Sequence, residues 1–239
     1  MCSEKDRILR AAGRAKARGK VRSLGETGEC AQNQITPRTM AEFKQDGPEA
    51  ARIAAVIPYY PFHGVPRFYD ISGMTHDPEA FQLCIDIFVR RYASLGVDAI
   101  AGLDARGFVL GPPIALALKK PFIMIRKKGK LPNAATGAEY FKEYEGSTGA
   151  TGGDELCISR TAIKPGARVL VIDDLVATGG TLIAACDLLS AVGATIVECA
   201  CMVELKGLGG YAKLQAKHPG VNVWGLISED ILTLEGAAP

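Results

Sequence analysis

The sequence predicts an α/β fold built on a largely parallel sheet. Three observations predict it. Short apolar runs recur at "DAIAGL" (98–103), "PFIMIR" (121–126), "ARVLVID" (167–173), "ATIVECACMVE" (194–204) and "VNVWGLI" (221–227), each of a length that suits a buried strand. Helical stretches separate most of these runs, and strands that alternate with helices pair in parallel. One intervening segment, "DPEAFQLCIDIFVRRYASLG", is an amphipathic helix with both ends marked. Asp77 stands at the N-cap, Pro78 at the first helical position and Gly96 just past the end. Phe81, Cys84, Ile85, Phe88, Tyr92 and Leu95 then share one face of it.

Composition narrows the function classes. The chain has 239 residues, 48% of them hydrophobic and 23% charged, which suits one globular domain with an extension. No apolar run is long enough to cross a bilayer and no signal-peptide h-region follows the N-terminus, so the expected partners include no membrane. Seven scattered cysteines without a CxxC pair, and three distant histidines (63, 76 and 218), argue against a zinc site or a disulfide framework. Reduced thiols in the cytoplasm are the expectation.

The formal net charge of +2 conceals an asymmetry. Residues 1–22 carry eight basic and two acidic side chains, whereas the remaining 217 carry 20 basic and 24 acidic. The body is thus mildly acidic, which disfavours a nucleic-acid-binding body. Residues 1–45 read as a basic, poorly ordered extension, since Ile8, Leu9, Val21 and Leu24 cannot build a core. Targeting, contact with a polyanion and plain solvation all remain open for this tail. Residues 46–239 form the predicted domain.

In open α/β sheets ligands collect at the carboxyl ends of strands. There the chain reads "VLVIDDLVATGGTL" (169–182), two carboxylates followed at once by a loop suited to an anion. Gly179 and Gly180 lack side chains, so successive amides can converge on a phosphate. The helix that follows adds its positive end, and Thr178 and Thr181 can add hydroxyl donors. No lysine follows as a Walker loop requires, and the dinucleotide glycine spacing is missing, so a monophosphate fits best. Asp173 and Asp174 then accept hydrogen bonds from a vicinal diol, which stands between them and the phosphate. A ribose 5-phosphate satisfies both ends of the site.

This stretch resembles the phosphoribosyl pyrophosphate (PRPP) signature of the type I phosphoribosyltransferase family. The chain is similar to the adenine phosphoribosyltransferases in particular over about residues 49–230. The matching blocks are "VPRFYDIS" (65–72), "IAGLDARGFVLGP" (100–112), "IRKKGKLP" (125–132), "YFKEY" (140–144), the signature itself and "MVELKGLGG" (202–210). The resemblance implies a mostly parallel twisted sheet flanked by helices, a small hood and a flexible lid loop. It also implies an enzyme of purine salvage, a glycosyltransferase that converts adenine and PRPP to AMP and pyrophosphate with Mg²⁺. That ion is held through substrate oxygens and water rather than by the protein directly. A homodimer is expected on the same ground.

The resemblance assigns roles residue by residue. Asp173 and Asp174 bind the ribose, and Ala177, Thr178, Gly179, Gly180 and Thr181 bind the 5′-phosphate. Asp104, Ala105 and Arg106, in a loop that carries a non-proline cis peptide in this family, meet the pyrophosphate together with Arg126, Lys130 and Tyr144. Ala105 stands where the family often has serine, which removes one hydroxyl contact. Glu143 is the catalytic acid/base, because neutral adenine must lose its N9 proton as N9 attacks. Arg67 and Tyr69 contact adenine through their main chains, Tyr69 replacing a common arginine, and Leu175 and Leu205 sandwich the base. The polar stretch 125–155 is the lid, with extra glycines at 146, 149, 152 and 153. A PRPP-binding regulator, a catalytically silent paralogue and an enzyme for another base, such as a pyrimidine, are the competing readings.

Overall fold

Asp77 begins the helix that the sequence marks most clearly. In the computed structural model, which describes residues 43–140 and 154–232, its carboxylate accepts the amides of Glu79 (3.0 Å) and Ala80 (3.1 Å). The helix it caps runs Pro78–Tyr92. Cys84, Ile85, Phe88 and Tyr92 are buried as the spacing predicts, but so are Ile87 and Val89. The apolar stripe is wider than one row because helices lie on both sides of this one.

The elements follow in chain order. Helix α1 (Pro48–Ala54) leads to a hairpin, β1 (Tyr59–Phe62) and β2 (Val65–Tyr69). Then come α2 (Ser72–His76), α3 (Pro78–Tyr92), β3 (Ala99–Leu103), α4 (Gly107–Leu118), β4 (Phe122–Lys127), β5 (Ala134–Tyr140) and β6 (Asp154–Ser159). Strand β7 (Arg168–Val176), α5 (Gly180–Ala191), β8 (Thr195–Glu204), α6 (Gly210–Lys217) and β9 (Val223–Ser228) complete the described chain. Each of the five strands expected from the apolar runs is present.

Seven strands pair in the order β5-β6-β4-β3-β7-β8-β9. From β4 to β9 every pairing is parallel, whereas β6 is antiparallel to both β4 and β5. Strand β5 lies within the polar stretch 125–155, and β6 begins at its end. "AATGAEY" has little β propensity of its own, and β5 exists through its ladder to β6. The β1–β2 hairpin forms a separate two-stranded sheet, the small unit implied as a hood.

Period-2 alternation divides the core between the two faces of the sheet. Leu170 and Ile172 of β7 face the layer of α1, α3 and α4, while Val169 and Val171 face α5 and α6. Both clusters are apolar and buried, so the sheet is covered on both sides. At the start of the described chain, Phe43 packs on the first cluster and lies under the Arg90 guanidinium at 5.7 Å. The tail residues 1–42, the segment 141–153 and residues 233–239 lie outside the described residues.

Strand order places the site. The chain leaves β3 toward β4 on one side and returns to build β7 on the other. The carboxyl ends of β3 and β7 therefore flank a switch point, where the connecting loops part and leave a crevice.

Candidate active site

Two loops meet at that crevice. After β3 come Asp104, Ala105 and Arg106, and the Asp104–Ala105 peptide is cis. Asp104 is held from both ends: its amide donates to the Ile125 carbonyl (3.0 Å) and its carboxylate accepts Arg126 Nε (2.8 Å). Arg126 also reaches the Lys130 carbonyl at 3.3 Å, so β4 brings Arg126 and Lys130 to the same end of the sheet. Arg106 turns the other way and donates to Asp174 Oδ2 at 3.1 Å.

The second loop follows β7. The apolar run ends at the aspartates, but β7 continues to Val176, with Leu175 opposite Val203 and Val176 opposite Glu204. Parallel pairing to β8 extends the strand because β8 is itself long enough to supply partners through Glu204. The carboxylates are thereby fixed by a ladder rather than carried on a loose turn. Asp174 is buried and Asp173 half-buried.

Burial and the neighbouring Asp174 charge hold the Asp173 carboxyl well above the usual carboxylate range. Burial raises Asp174 as well, against the opposing pull of Arg106. Two carboxylates taken from water with one guanidinium between them are under-compensated. Hydroxyl donors from a sugar would relieve this.

The loop 177–181 then enters α5. Gly179 is its N-cap, with φ +83°, a left-handed conformation that glycine adopts without steric cost. The first amides of α5 have no intrahelical acceptors and point out of the helix start. A feature absent from the sequence reading closes the loop from behind. Gly210, at the start of α6, lies so near that a Cβ there would strike the Ala177 carbonyl oxygen and come within 3.0 Å of Gly179 N. A Cβ on Gly179 would in turn lie 2.8 Å from the Gly210 carbonyl oxygen. The signal was present in "KGLGG", whose glycines have no evident purpose until β8 returns beside β7.

The hairpin residues reach the same crevice through a residue the sequence reading did not single out. Phe68 of β2 stacks beneath the Arg106 guanidinium at 4.6 Å and packs on Phe62 at 5.0 Å. Its neighbours differ from each other. Tyr69 is buried edge-on to Tyr59 at 5.9 Å, whereas Arg67 is exposed. Leu175 of β7 and Leu205, just past the end of β8, are both half-buried, and the Leu205 amide donates to the Val176 carbonyl at 2.9 Å. Glu143 and Tyr144 lie outside the described residues.

A glycine-capped helix start, a half-buried and a buried aspartate and two arginines thus meet at one switch point, the arrangement expected of a site for a phosphorylated sugar. The family model described as "Phosphoribosyl transferase domain" matches residues 71–219. Adenine phosphoribosyltransferase 2 of Arabidopsis thaliana is 48% identical over 162 residues, 68% of this chain and 80% of that protein. The adenine phosphoribosyltransferase of Methylobacterium nodulans is 43% identical over 193 residues, 81% of this chain and 97% of its own length. The adenine phosphoribosyltransferase of Trypanosoma brucei, solved with AMP, pyrophosphate and ribose-5-phosphate, superposes with a TM-score of 0.75 at 33% identity, covering 82% of this chain and 86% of that one. The chain belongs to the phosphoribosyltransferase family and, within it, to the adenine phosphoribosyltransferases.

Proposed function

We propose that the protein transfers the 5-phosphoribosyl group of PRPP to N9 of adenine, forming AMP and pyrophosphate in purine salvage. The observation that carries this reading is the meeting of the Arg106–Asp174 pair with the Gly179 loop at one switch point. In the reaction N9 forms a bond to C1′ as the bond from C1′ to the pyrophosphate oxygen breaks. Positive charge develops on the ribose, as in glycoside chemistry. Asp173 and Asp174 hold the ribose hydroxyls and place negative charge near that centre. The loop 177–181 binds the 5′-phosphate, and Arg106, Arg126 and Lys130 take the pyrophosphate with Tyr144. Glu143 accepts the N9 proton.

Among the described residues no three His, Cys, Asp or Glu side chains gather to cage a metal ion. A polyphosphate substrate suits Mg²⁺, which retains water and prefers phosphate oxygens, so the ion would be held through the substrate and water rather than by the aspartates. When bound, Mg²⁺ neutralises the leaving pyrophosphate.

Five cysteines among the described residues are free and buried, which supports a reducing cytoplasm as the setting. Among the described residues no helix is long and apolar enough to cross a membrane.

The decisive assay follows AMP formation from adenine, PRPP and Mg²⁺, with hypoxanthine, guanine and a pyrimidine base in parallel. Adenine alone is expected to turn over, and Glu143→Gln to lower kcat by about 10²–10⁴-fold, the usual worth of a positioned base. PRPP binding without turnover on any base would replace this reading with that of a regulator.

We further read the protein as a homodimer. Val109 and Leu116 stand seven residues apart on α4 and are 36% and 79% exposed. Met124, on the same side of β4 as Phe122, is 44% exposed. An apolar helix face beside an apolar strand residue suits a self-complementary contact about a two-fold axis. Leu116→Asp is expected to convert a dimeric mass to a monomeric one in light scattering, and an unchanged mass would exclude this face.

A further inference from the structure

The turn between β8 and α6 carries Leu205 at one end and Gly210 at the other. It therefore links the side of the site read as the base pocket to the back of the phosphate loop. Its own sequence, "LKGLGG", gives it no reason to be rigid: three of its six residues are glycine, and Lys206, Gly207 and Leu208 are exposed. It closes on itself through a single 3-10 turn, with the Leu208 amide on the Leu205 carbonyl (3.1 Å) and the Gly209 amide on the Lys206 carbonyl (3.0 Å), and its remaining braces come from elsewhere in the chain.

Glu229, just after β9, accepts the amide of Lys206 at 2.8 Å and that of Gly207 at 2.6 Å. One carboxylate thus satisfies two successive amides of the turn. Burial alone would raise the Glu229 pKa, but the hydrogen bonds from Gly207 and Lys206 and the Lys206 charge prevail and lower it. A Cβ at Gly207 would sit 3.3 Å from the Glu229 carboxylate oxygen, so glycine lets the two groups approach.

A second acidic residue braces the other side. Asp46 accepts both the amide and the hydroxyl of Ser228 at 2.7 Å, and its carboxylate lies 3.9 Å from Lys206 Nζ. Asp46 has φ +61°, a conformation that aspartate tolerates better than most side chains. Its neighbour Gln45 donates to Glu204 Oε2 at 2.9 Å, one residue before Leu205. The segment that leads into the domain is thus fastened to the carboxyl ends of β8 and β9, next to the turn.

We propose that Glu229 and Asp46 are positioning residues for the purine: they hold the Leu205–Gly210 turn so that Leu205 stays against the base. This rests on the reading of Leu205 as a base contact under the proposed function. Glu229 acts through the amides of Lys206 and Gly207. Its loss frees Lys206 and Gly207 first, and these adjoin Leu205, whereas the Gly210 end remains packed on Gly179. The effect should fall on binding of the base rather than of the sugar phosphate.

The test compares AMP with ribose 5-phosphate by calorimetry on the full-length protein, because the two ligands differ by the base. In Glu229→Ala, AMP affinity is expected to fall about 10-fold while ribose 5-phosphate affinity stays within about twofold, and KM for adenine to rise more than KM for PRPP. Hydrogen exchange at the Lys206 and Gly207 amides should accelerate in the same variant. Glu229→Gln, which keeps an acceptor oxygen, should recover part of both losses, and Asp46→Asn should act in the same direction as Glu229→Ala. Unchanged AMP affinity, or equal weakening of both ligands, would overturn the positioning role. Unchanged exchange at the two amides would overturn the clamp itself. If the wild-type protein binds AMP no better than ribose 5-phosphate, the base-pocket reading fails first and the proposal falls with it.

Discussion

Asp173→Asn is expected to make the ligand-free protein more stable and the enzyme far less active. Asp173 and Asp174 are successive residues of β7, both partly or wholly removed from water, with Arg106 paired to Asp174 only. Burial and the adjacent charge raise the Asp173 pKa well above its ordinary value. The folded protein therefore holds that proton more tightly than the unfolded chain does. The stability linked to it is fully present below the unfolded carboxylate pKa and is lost as pH rises toward the folded pKa.

Above the unfolded carboxylate pKa the wild type forfeits this stability, because its unfolded chain sheds the proton, whereas the asparagine variant has no such proton to lose. The variant should melt about 3–6 °C higher at pH 7.5, corresponding to roughly 1–2 kcal/mol for a domain of this size. The difference should vanish below about pH 4, where the unfolded carboxylate also holds its proton. Activity moves the opposite way. A charged acceptor for a ribose hydroxyl is lost together with negative charge near the developing cation, which should lower kcat/KM about 10²-fold. Thermal melts across this pH range and steady-state kinetics check both halves. A variant that is less stable than wild type at pH 7.5 would contradict the account of the aspartate pair.

Gly210→Ala should disable the phosphate loop from 30 residues away in sequence. The added Cβ would meet the Ala177 carbonyl oxygen and stand 3.0 Å from Gly179 N and 3.1 Å from Val176 Cγ1. The first two are backbone atoms of the loop, so no rotamer change relieves the contact. Either α6 withdraws or the loop shifts, and a cradle of amides tolerates little displacement. KM for PRPP is expected to rise about 10²-fold, with a stability loss of roughly 2–4 kcal/mol from overpacking and strain. Tyr211→Ala, at the next position on α6 where the side chain is 42% exposed, is the control and should change stability by less than about 0.5 kcal/mol. Normal PRPP kinetics in Gly210→Ala would show that the loop does not depend on α6.

Much of this architecture was legible in the linear chain because it rests on local physics. The five apolar runs, the capped helix after Asp77 and the acidic strand end followed by "ATGG" are patterns of neighbours. Each reports a preference that the chain expresses within a few residues. Arg126 and Lys130 lie at the same sheet end as Asp104, because β4 pairs with β3 in parallel.

Other features depend on partners distant in sequence. Strand β7 continues past its aspartates only because β8 runs alongside as far as Glu204. Strand β5 is a strand through β6, against its own weak propensity. Phe68 is an ordinary hairpin residue until Arg106 lies on it. Glu229 and Asp46 look like surface acids in a chain of mixed charge, and only the folded turn shows two amides converging on one of them.

The chain alone thus specifies the α/β class and the glycine loop that follows the two aspartates, since these follow from periodicity, glycine conformation and the chemistry of adjacent side chains. The raised aspartate pKa, the glycine contact behind the loop and the clamp on the Leu205 turn come only with the tertiary structure. Desolvation and close approach are properties of atoms brought together from distant positions, and no local pattern encodes them.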